Sequence, residues 1–302
     1  MSTFWNLWIV GFVTANIIFI AWLLYATSSG KKSDQPAGPE TTGHIWDGDL
    51  QEYNNPLPRW WLAVFYASIV FAILYLALYP GFGNFKGLLG WSATNELQGQ
   101  EAEARLTTAR VLAKFDGKSI AELAADPEAL GVAENLFAAN CTACHGADAH
   151  GNKGFPNLAR PDLSWGRSEA AILATITAGR QGVMPAWKDI LGTESVTRVA
   201  NYVYSLSGRP APDIKAAAAG AQTFATTCAM CHGATGQGNP IMGSPNLTSG
   251  YWIYGGSLAT IEESIGNGRR NQMPAWGELL GEQKVRLLAA YVYSLSPPAV
   301  TH

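Results

Sequence analysis

Phe137-Ala-Ala-Asn-Cys141-Thr-Ala-Cys144-His145-Gly146 returns 87 residues later as Phe224-Ala-Thr-Thr-Cys228-Ala-Met-Cys231-His232-Gly233, and this pair of stretches decides the fold. The echo extends outward from it. Pro156-Asn157-Leu158 reappears as Pro245-Asn246-Leu247, and Met184-Pro185-Ala186-Trp187 as Met273-Pro274-Ala275-Trp276. Tyr202 to Ser207 is repeated at Tyr291 to Ser296. From the prolines onward the offset is 89, so a single two-residue insertion separates the copies. Self-similarity at a long fixed period means one small unit used twice.

Each copy reads mostly as helix. An Ala-rich amphipathic stretch runs into each Cys-x-x-Cys-His, a second helix is expected over Ser168–Ala178 and Leu258–Ile265, and a last one over Glu194–Leu206 and Glu282–Leu295. Ser168-Glu169 has the form of a helix start. Gly, Pro and Asn fill the segments between, as suits loops wrapped around something large. Ser207-Gly-Arg-Pro-Ala-Pro212 is the linker.

Cys-x-x-Cys-His is an attachment sequence for c-type haem. The thiols of Cys141 and Cys144, and of Cys228 and Cys231, would form thioethers, while His145 and His232 turn imidazoles onto iron. A four-cysteine zinc site would need the pairs closer than the 83 residues between Cys144 and Cys228;. A thioredoxin-like pair would need a βαβ surround, and neither rival explains the His after both pairs. Met184 and Met273 stand at one place in the repeat, 39 and 41 residues after their histidines, and are the candidate sixth ligands. Thioether opposite imidazole raises the potential, which suits electron transfer. Spacing leaves open whether each Met serves its own copy or the other; own-copy ligation is the default expectation. Met230 and Met242 read as packing residues, Trp187 and Trp276 as walls of the pocket, and His44, His150 and His302 as surface residues. Pro156 and Pro245 resemble the class I cytochrome c proline whose carbonyl accepts a hydrogen bond from the ligating His.

Phe4–Tyr25 and Trp60–Tyr79 are uncharged runs of 22 and 20 residues with aromatics near their ends. A 22-residue helix rises about 33 Å, enough for a hydrocarbon core of roughly 30 Å. No basic residue precedes Lys31, so the first run reads as a retained span rather than a signal peptide;. Lys31, Lys32 and Arg59 lie between the spans, which puts that loop in the cytoplasm and both termini outside;. Covalent haem attachment belongs to the periplasm and agrees. Gly11/Ala15 and Ser68/Ala72 are small-residue pairs that suit helix contacts, and Asn16 could bond across one. The expected organisation is a membrane anchor over 1–95, a stalk over 96–127, and haem domains over 128–208 and 209–302.

The chain has 302 residues, a net charge of −3, 14% charged and 48% hydrophobic residues. That excludes a nucleic-acid binder carried by bulk positive charge and a wholly disordered chain. Residues 90–302 hold 16 basic against 18 acidic residues, so no dominant docking charge emerges.

Two spans followed by two c-type haem domains resemble the dihaem subunit (CcoP/FixP type, subunit III) of cbb3-type cytochrome c oxidases. The stretch from His44 to Trp61, with Pro56, Pro58 and Arg59 before Trp60, resembles the segment leading into that family's membrane helix. The resemblance implies a mainly α chain with two transmembrane helices and two tandem class I cytochrome c domains in a bacterial inner membrane, haem domains in the periplasm. It implies electrons arriving from a donor cytochrome c and leaving for a monohaem subunit, then a haem–copper subunit that reduces oxygen and pumps protons. No catalytic site or nucleic-acid partner is expected in the chain itself. The rival readings are a free-standing anchored dihaem shuttle and a dihaem peroxidase; the second would need one iron to lack its Met.

Overall fold

The computed structural model describes residues 1–28, 41–53 and 58–296, and the chain divides into two compact units, Met1–Thr107 and Thr108–His302. In the first unit α1 (Thr3–Ser28) and α2 (Arg59–Leu78) are long and apolar enough to cross a bilayer, each with a mean hydropathy of 2.3. Nearly all of their surface is left uncovered by the rest of the chain, a state that suits lipid or partner helices rather than water;. The Oδ1 of Asn6 accepts from the Asn84 N–H at 2.5 Å, tying the start of α1 to the turn after α2. The Asn16 Nδ2 donates to the Phe12 carbonyl of its own helix at 2.8 Å. Gly11 faces open space, and α1 meets α2 around Thr14, Ile17, Ile73 and Leu76 instead. Between the spans β1 (Thr41–Trp46) and β2 (Leu50–Tyr53) form an antiparallel hairpin with Trp46 opposite Leu50, where the sequence suggests only a loop. Lys31, Lys32, Asn54–Leu57 and His302 lie outside the described residues.

A helix α3 (Ala93–Ala113) runs through the segment expected as a stalk. From its last turn onward the expected stalk is core: Leu112 on α3, Phe115, and Ile120 and Leu123 on α4 (Ile120–Ala124) are buried. The Oγ of Ser119 and the side chain of Glu122 form a reciprocal capping box that starts this short helix;.

The second unit continues with α5 (Pro127–Asn140), α6 (Thr142–His145), α7 (Glu169–Ala178), β3 (Arg180–Met184) and α8 (Lys188–Leu206). The second copy repeats them as α9 (Ile214–Thr223) with a π turn (Phe224–Cys228), α10 (Ala229–His232), α11 (Leu258–Asn267), β4 (Arg269–Met273), α12 (Gly277–Leu280) and α13 (Glu282–Ser294). Ser168 and Ser257 cap α7 and α11, their Oγ atoms accepting from Ala171 and Thr260 N–H at 3.2 Å;. A left-handed glycine, Gly192 or Gly281, breaks each final helical segment at the same place in the repeat.

The copies do not close on themselves. One core joins α4, α5 and α7 of the first copy to α13 of the second; the other joins α9 and α11 of the second to α8 of the first. Phe137 meets Tyr291 at 4.9 Å between ring centroids, and Phe224 meets Tyr202 at 5.2 Å. The exchange takes place where β3 and β4 pair antiparallel, Arg180 opposite Met273 and Met184 opposite Arg269. Gly182 lies opposite Asn271, its own repeat equivalent, so a pseudo-twofold axis passes through that pair;. Gly179 and Gly268, with φ of 70° and 72°, end α7 and α11 and send the chain across;. A Cβ on either would come within 2.5 Å of the carbonyl of Met273 or Met184 in the opposite strand. The Trp187 N–H donates to Ile265 and the Trp276 N–H to Ile176, both at 3.0 Å, fastening each exchanged arm to the other copy's helix.

Candidate haem-binding sites

Cys141 ends α5, and Cys144 and His145 follow on the single turn of α6. Cys228 ends the π turn, and Cys231 and His232 follow equivalently on α10. Both imidazoles are buried, and each Nδ1 is engaged by the carbonyl of the expected proline: His145 with Pro156 at 3.1 Å, His232 with Pro245 at 3.2 Å. A carbonyl accepts only, so Nδ1 carries the proton and Nε2 keeps its lone pair for a metal. Burial lowers both histidine pKa values, with the proline carbonyls opposing it, which favours the neutral ring that ligation requires;. The loops are held by matched bonds, Gly151 N–H to the His145 carbonyl at 2.7 Å and Gly238 N–H to the His232 carbonyl at 2.8 Å.

Burial, with neighbouring Cys144 adding to it, pushes the Cys141 thiol up to about 11; burial and then Cys231 raise Cys228 as well. A low-pKa redox thiolate is therefore not what these positions offer. No disulfide joins the four cysteines, and Cys141 and Cys228 pack against different cores, so the pairs form no four-sulfur site. Paired thiols, a neutral imidazole with a fixed tautomer and a nearby thioether are the donor set that a c-type haem takes, and the residues fit that group.

The methionines pack across the repeat rather than within their own copy. Met273 packs on the core that contains Phe137 and Cys141, together with Trp276. Met184 and Trp187 pack on the core that contains Phe224 and Cys228. Each thioether thus stands with the other copy's cysteines, because β3 and β4 carry the arms past one another before the Met-Pro-Ala-Trp turn.

Met230 and Met242 are also corrected: they are 79% and 49% exposed, not packed. Met230 points outward between two cysteines, and Met242 lies in the loop that carries the two-residue insertion. His44 and His150 are exposed as expected, with His150 bonded locally to Asp148.

Two arginines were not singled out by sequence. Arg167 donates to five carbonyls: Leu158 and Arg160 from its own loop, and Val292, Tyr293 and Ser296 at the end of α13. Burial lowers its pKa. Arg209 from the linker donates to the Gly256 carbonyl at 2.7 Å and stacks on Tyr204 at 3.7 Å. Gly256 is the repeat equivalent of Arg167, and that mismatch is the only trace these residues leave in the sequence.

A buried, tautomer-fixed histidine beside a thiol pair, twice over, defines a c-type cytochrome. Comparison with known proteins agrees. Residues 128–203 and 215–292 match the family described as cytochrome c oxidase, cbb3-type, subunit III, and residues 38–86 match the N-terminal domain of cytochrome oxidase-cbb3, FixP. The chain is 45% identical over 293 residues to the cbb3-type cytochrome c oxidase subunit CcoP of Rubrivivax gelatinosus, covering 97% of this chain and 95% of the relative. It is 44% identical over 278 residues to the subunit FixP of Azorhizobium caulinodans, covering 87% of this chain and 94% of the relative. The CcoP subunit of Cereibacter sphaeroides is 39% identical over 283 residues. The chain belongs to the CcoP/FixP family, subunit III of cbb3-type cytochrome c oxidases, and is an electron-transfer subunit of that oxidoreductase complex.

Proposed function

We propose that this subunit holds two c-type haems with crossed axial ligands and passes electrons from a donor cytochrome c toward a monohaem subunit and a haem–copper subunit in the membrane. Bound haem supplies a one-electron carrier at each site. When bound, one porphyrin would be held by Cys141 and Cys144 with His145 and Met273 as its candidate iron ligands, and the other by Cys228 and Cys231 with His232 and Met184. Pro156 and Pro245 hold the imidazole rings in register, and Trp187 and Trp276 close the thioether side. With an imidazole and a thioether committed at each site, the chain's own residues would bind and orient the carrier rather than catalyse, and oxygen reduction and proton pumping would belong to the partners. Covalent haem attachment would suit haem domains in the periplasm, and the basic residues between the two spans support that side.

The observation that carries this reading is that Met184 packs on the same core as the second copy's Cys228, and Met273 on the same core as the first copy's Cys141. The test uses full-length protein in which Cys141→Ser and Cys144→Ser remove one attachment site. In that background Met184→His abolishes the remaining sulfur–iron absorption band of the oxidised protein, and Met273→His leaves it. The reverse result refutes the crossing. A five-coordinate iron in unmodified protein refutes the electron-transfer role.

A further inference from the structure

The second copy is longer than the first by two residues, and the structure places them. Gly151 and Gly154 of the first loop correspond to Gly238 and Gly243 of the second, all four with positive φ. Asn152–Lys153 therefore stand where Asn239–Met242 stand, and the added length is the tip formed by Ile241 and Met242. Both are apolar and exposed, at 89% and 49%. The tip is ordered: Asn239 Oδ1 accepts from the Ile241 N–H at 3.0 Å, and the Asn239 carbonyl accepts from the Met242 and Ser244 N–H groups at 3.1 Å. Its base is packed, since a Cβ on Gly243 would run into the Trp165 ring. One exposed apolar side chain is ordinary. An insertion that holds two of them in solvent on a fixed turn adds nothing to the core and points to a contact outside this chain.

Position, charge and size then select what meets the tip. The loop leaves from and returns to His232, whose carbonyl accepts from the Gly238 N–H at 2.8 Å and whose Nδ1 donates to the Pro245 carbonyl at 3.2 Å. Ile241 and Met242 thus stand a few residues' reach from the second attachment motif, in which Met230 is itself 79% exposed. No Asp, Glu, Lys or Arg occurs between Lys215 and Glu262, whereas the corresponding stretch of the first copy, 129–172, holds seven charged residues, Lys153 of the shorter loop among them. A surface without charge neither steers a charged partner nor compensates its desolvation, so it selects a partner whose own contact face is uncharged. Two side chains beside Met230 suit the transient redox encounters that bury less than about 1,200 Å², and not the roughly 2,000 Å² or more of permanent subunit contacts.

We infer that the Ile241–Met242 tip is a docking contact for the donor cytochrome c, that it meets an apolar, uncharged rim around that protein's haem edge, and that electrons enter this subunit at the second copy. The inference rests on the electron-transfer reading above and deepens it by giving the two copies an order, the second receiving electrons and the first passing them on.

The test is stopped-flow reduction of the detergent-purified oxidase complex, with this subunit at full length, by two probes. One is a reduced soluble monohaem cytochrome c with an uncharged haem edge, and the other has a lysine-ringed edge. The uncharged probe is expected to react faster with the unaltered complex, at a rate that changes less than about twofold between about 0.05 and 0.5 M salt. Ile241→Lys slows it about tenfold, and deletion of Ile241 and Met242, which restores the first copy's loop length, does the same. Lys153→Glu in the first copy's loop leaves the rate in place. Haem content, and reduction by dithionite, which needs no docking surface, stay unchanged in every variant. An unchanged rate in both Ile241→Lys and the deletion overturns the docking contact, as does a rate that falls steeply with salt or that Lys153→Glu slows equally. Loss of the partner subunits from either second-copy variant also overturns it, because the tip would then be an assembly contact. An unaltered complex that dithionite reduces and neither cytochrome reduces would break the proposed function instead.

Discussion

The two haem sites are built from the same parts in the same order, yet the C-terminal helix of each is locked differently. At the first site Arg167 ties three carbonyls at the end of α13 to two of its own loop, so that each of its side-chain nitrogens is engaged. At the second, Arg209 comes from the linker, stacks on Tyr204 above the end of α8, and keeps one nitrogen free beside Trp252. The helix crossings differ as well. Ala133 on α5 is wholly buried and keeps its methyl, whereas its equivalent on α9 is Gly220, where a Cβ would lie 2.1 Å from the Arg198 carbonyl. Duplication therefore preserved the ligand frame and the aromatic pairs while the supporting contacts diverged. Two carriers in series gain from unlike surroundings, which set unlike potentials.

The comparison can be broken at its common element first. Phe137→Ala and Phe224→Ala each remove a wholly buried ring that bridges the copies, and each is expected to cost about 4 kcal/mol;. Because each ring packs on the other copy's terminal helix, thermal unfolding of either variant should lower the single transition of the whole second unit. Separate melting of one half would contradict the exchange.

Gly220→Val sharpens the difference between sites. It forces α8 and α9 apart, at about 3 kcal/mol, and should weaken the Met184 sulfur–iron band while leaving the one from Met273;. Ala133→Val, the matched change, tests whether the first crossing has the greater tolerance that its native methyl implies.

Arg167→Gln strips the carbonyls at the end of α13 of their donor, with an expected loss of about 2 kcal/mol in denaturant unfolding;. Smaller still, Ser168→Ala and Ser257→Ala remove equivalent caps and should each cost about 1 kcal/mol; unequal losses would show that the symmetry fails even at the helix starts;.

The last prediction concerns pH and belongs to the first site alone. The Lys118 ammonium, then the amides at the start of α5, hold the Asp126 carboxyl below its usual value. Its contribution is present above the unfolded pKa of about 3.9 and disappears as the pH falls through the lower folded value. Asp126→Asn should therefore flatten the acid limb of the melting-temperature profile below about pH 4 and change little at lower pH still.

Much of this was written in residue order. The repeat, both attachment motifs, the His–Pro second contact and the two apolar spans are local signals, because a covalent motif, a short hydrogen-bonded loop and an uncharged run depend on neighbours in the chain. Ser168 could be read as a helix cap for the same reason. The stalk was misjudged from Leu112 to Leu123, since an Ala- and Glu-rich composition describes solubility and does not report which face a distant helix will cover. Met230 and Met242 were misjudged because an apolar side chain in isolation carries no address.

What the amino-acid sequence determined alone was the inventory: two tethering helices, two sets of thiols and imidazole, two candidate thioethers. Which core each thioether packs on was decided only in three dimensions. Gly179 and Gly268 allow the strands to cross, but the choice between folding back and crossing depends on whether α13 buries its apolar face better on α5 or on α9, and that comparison exists only once all four elements are packed;.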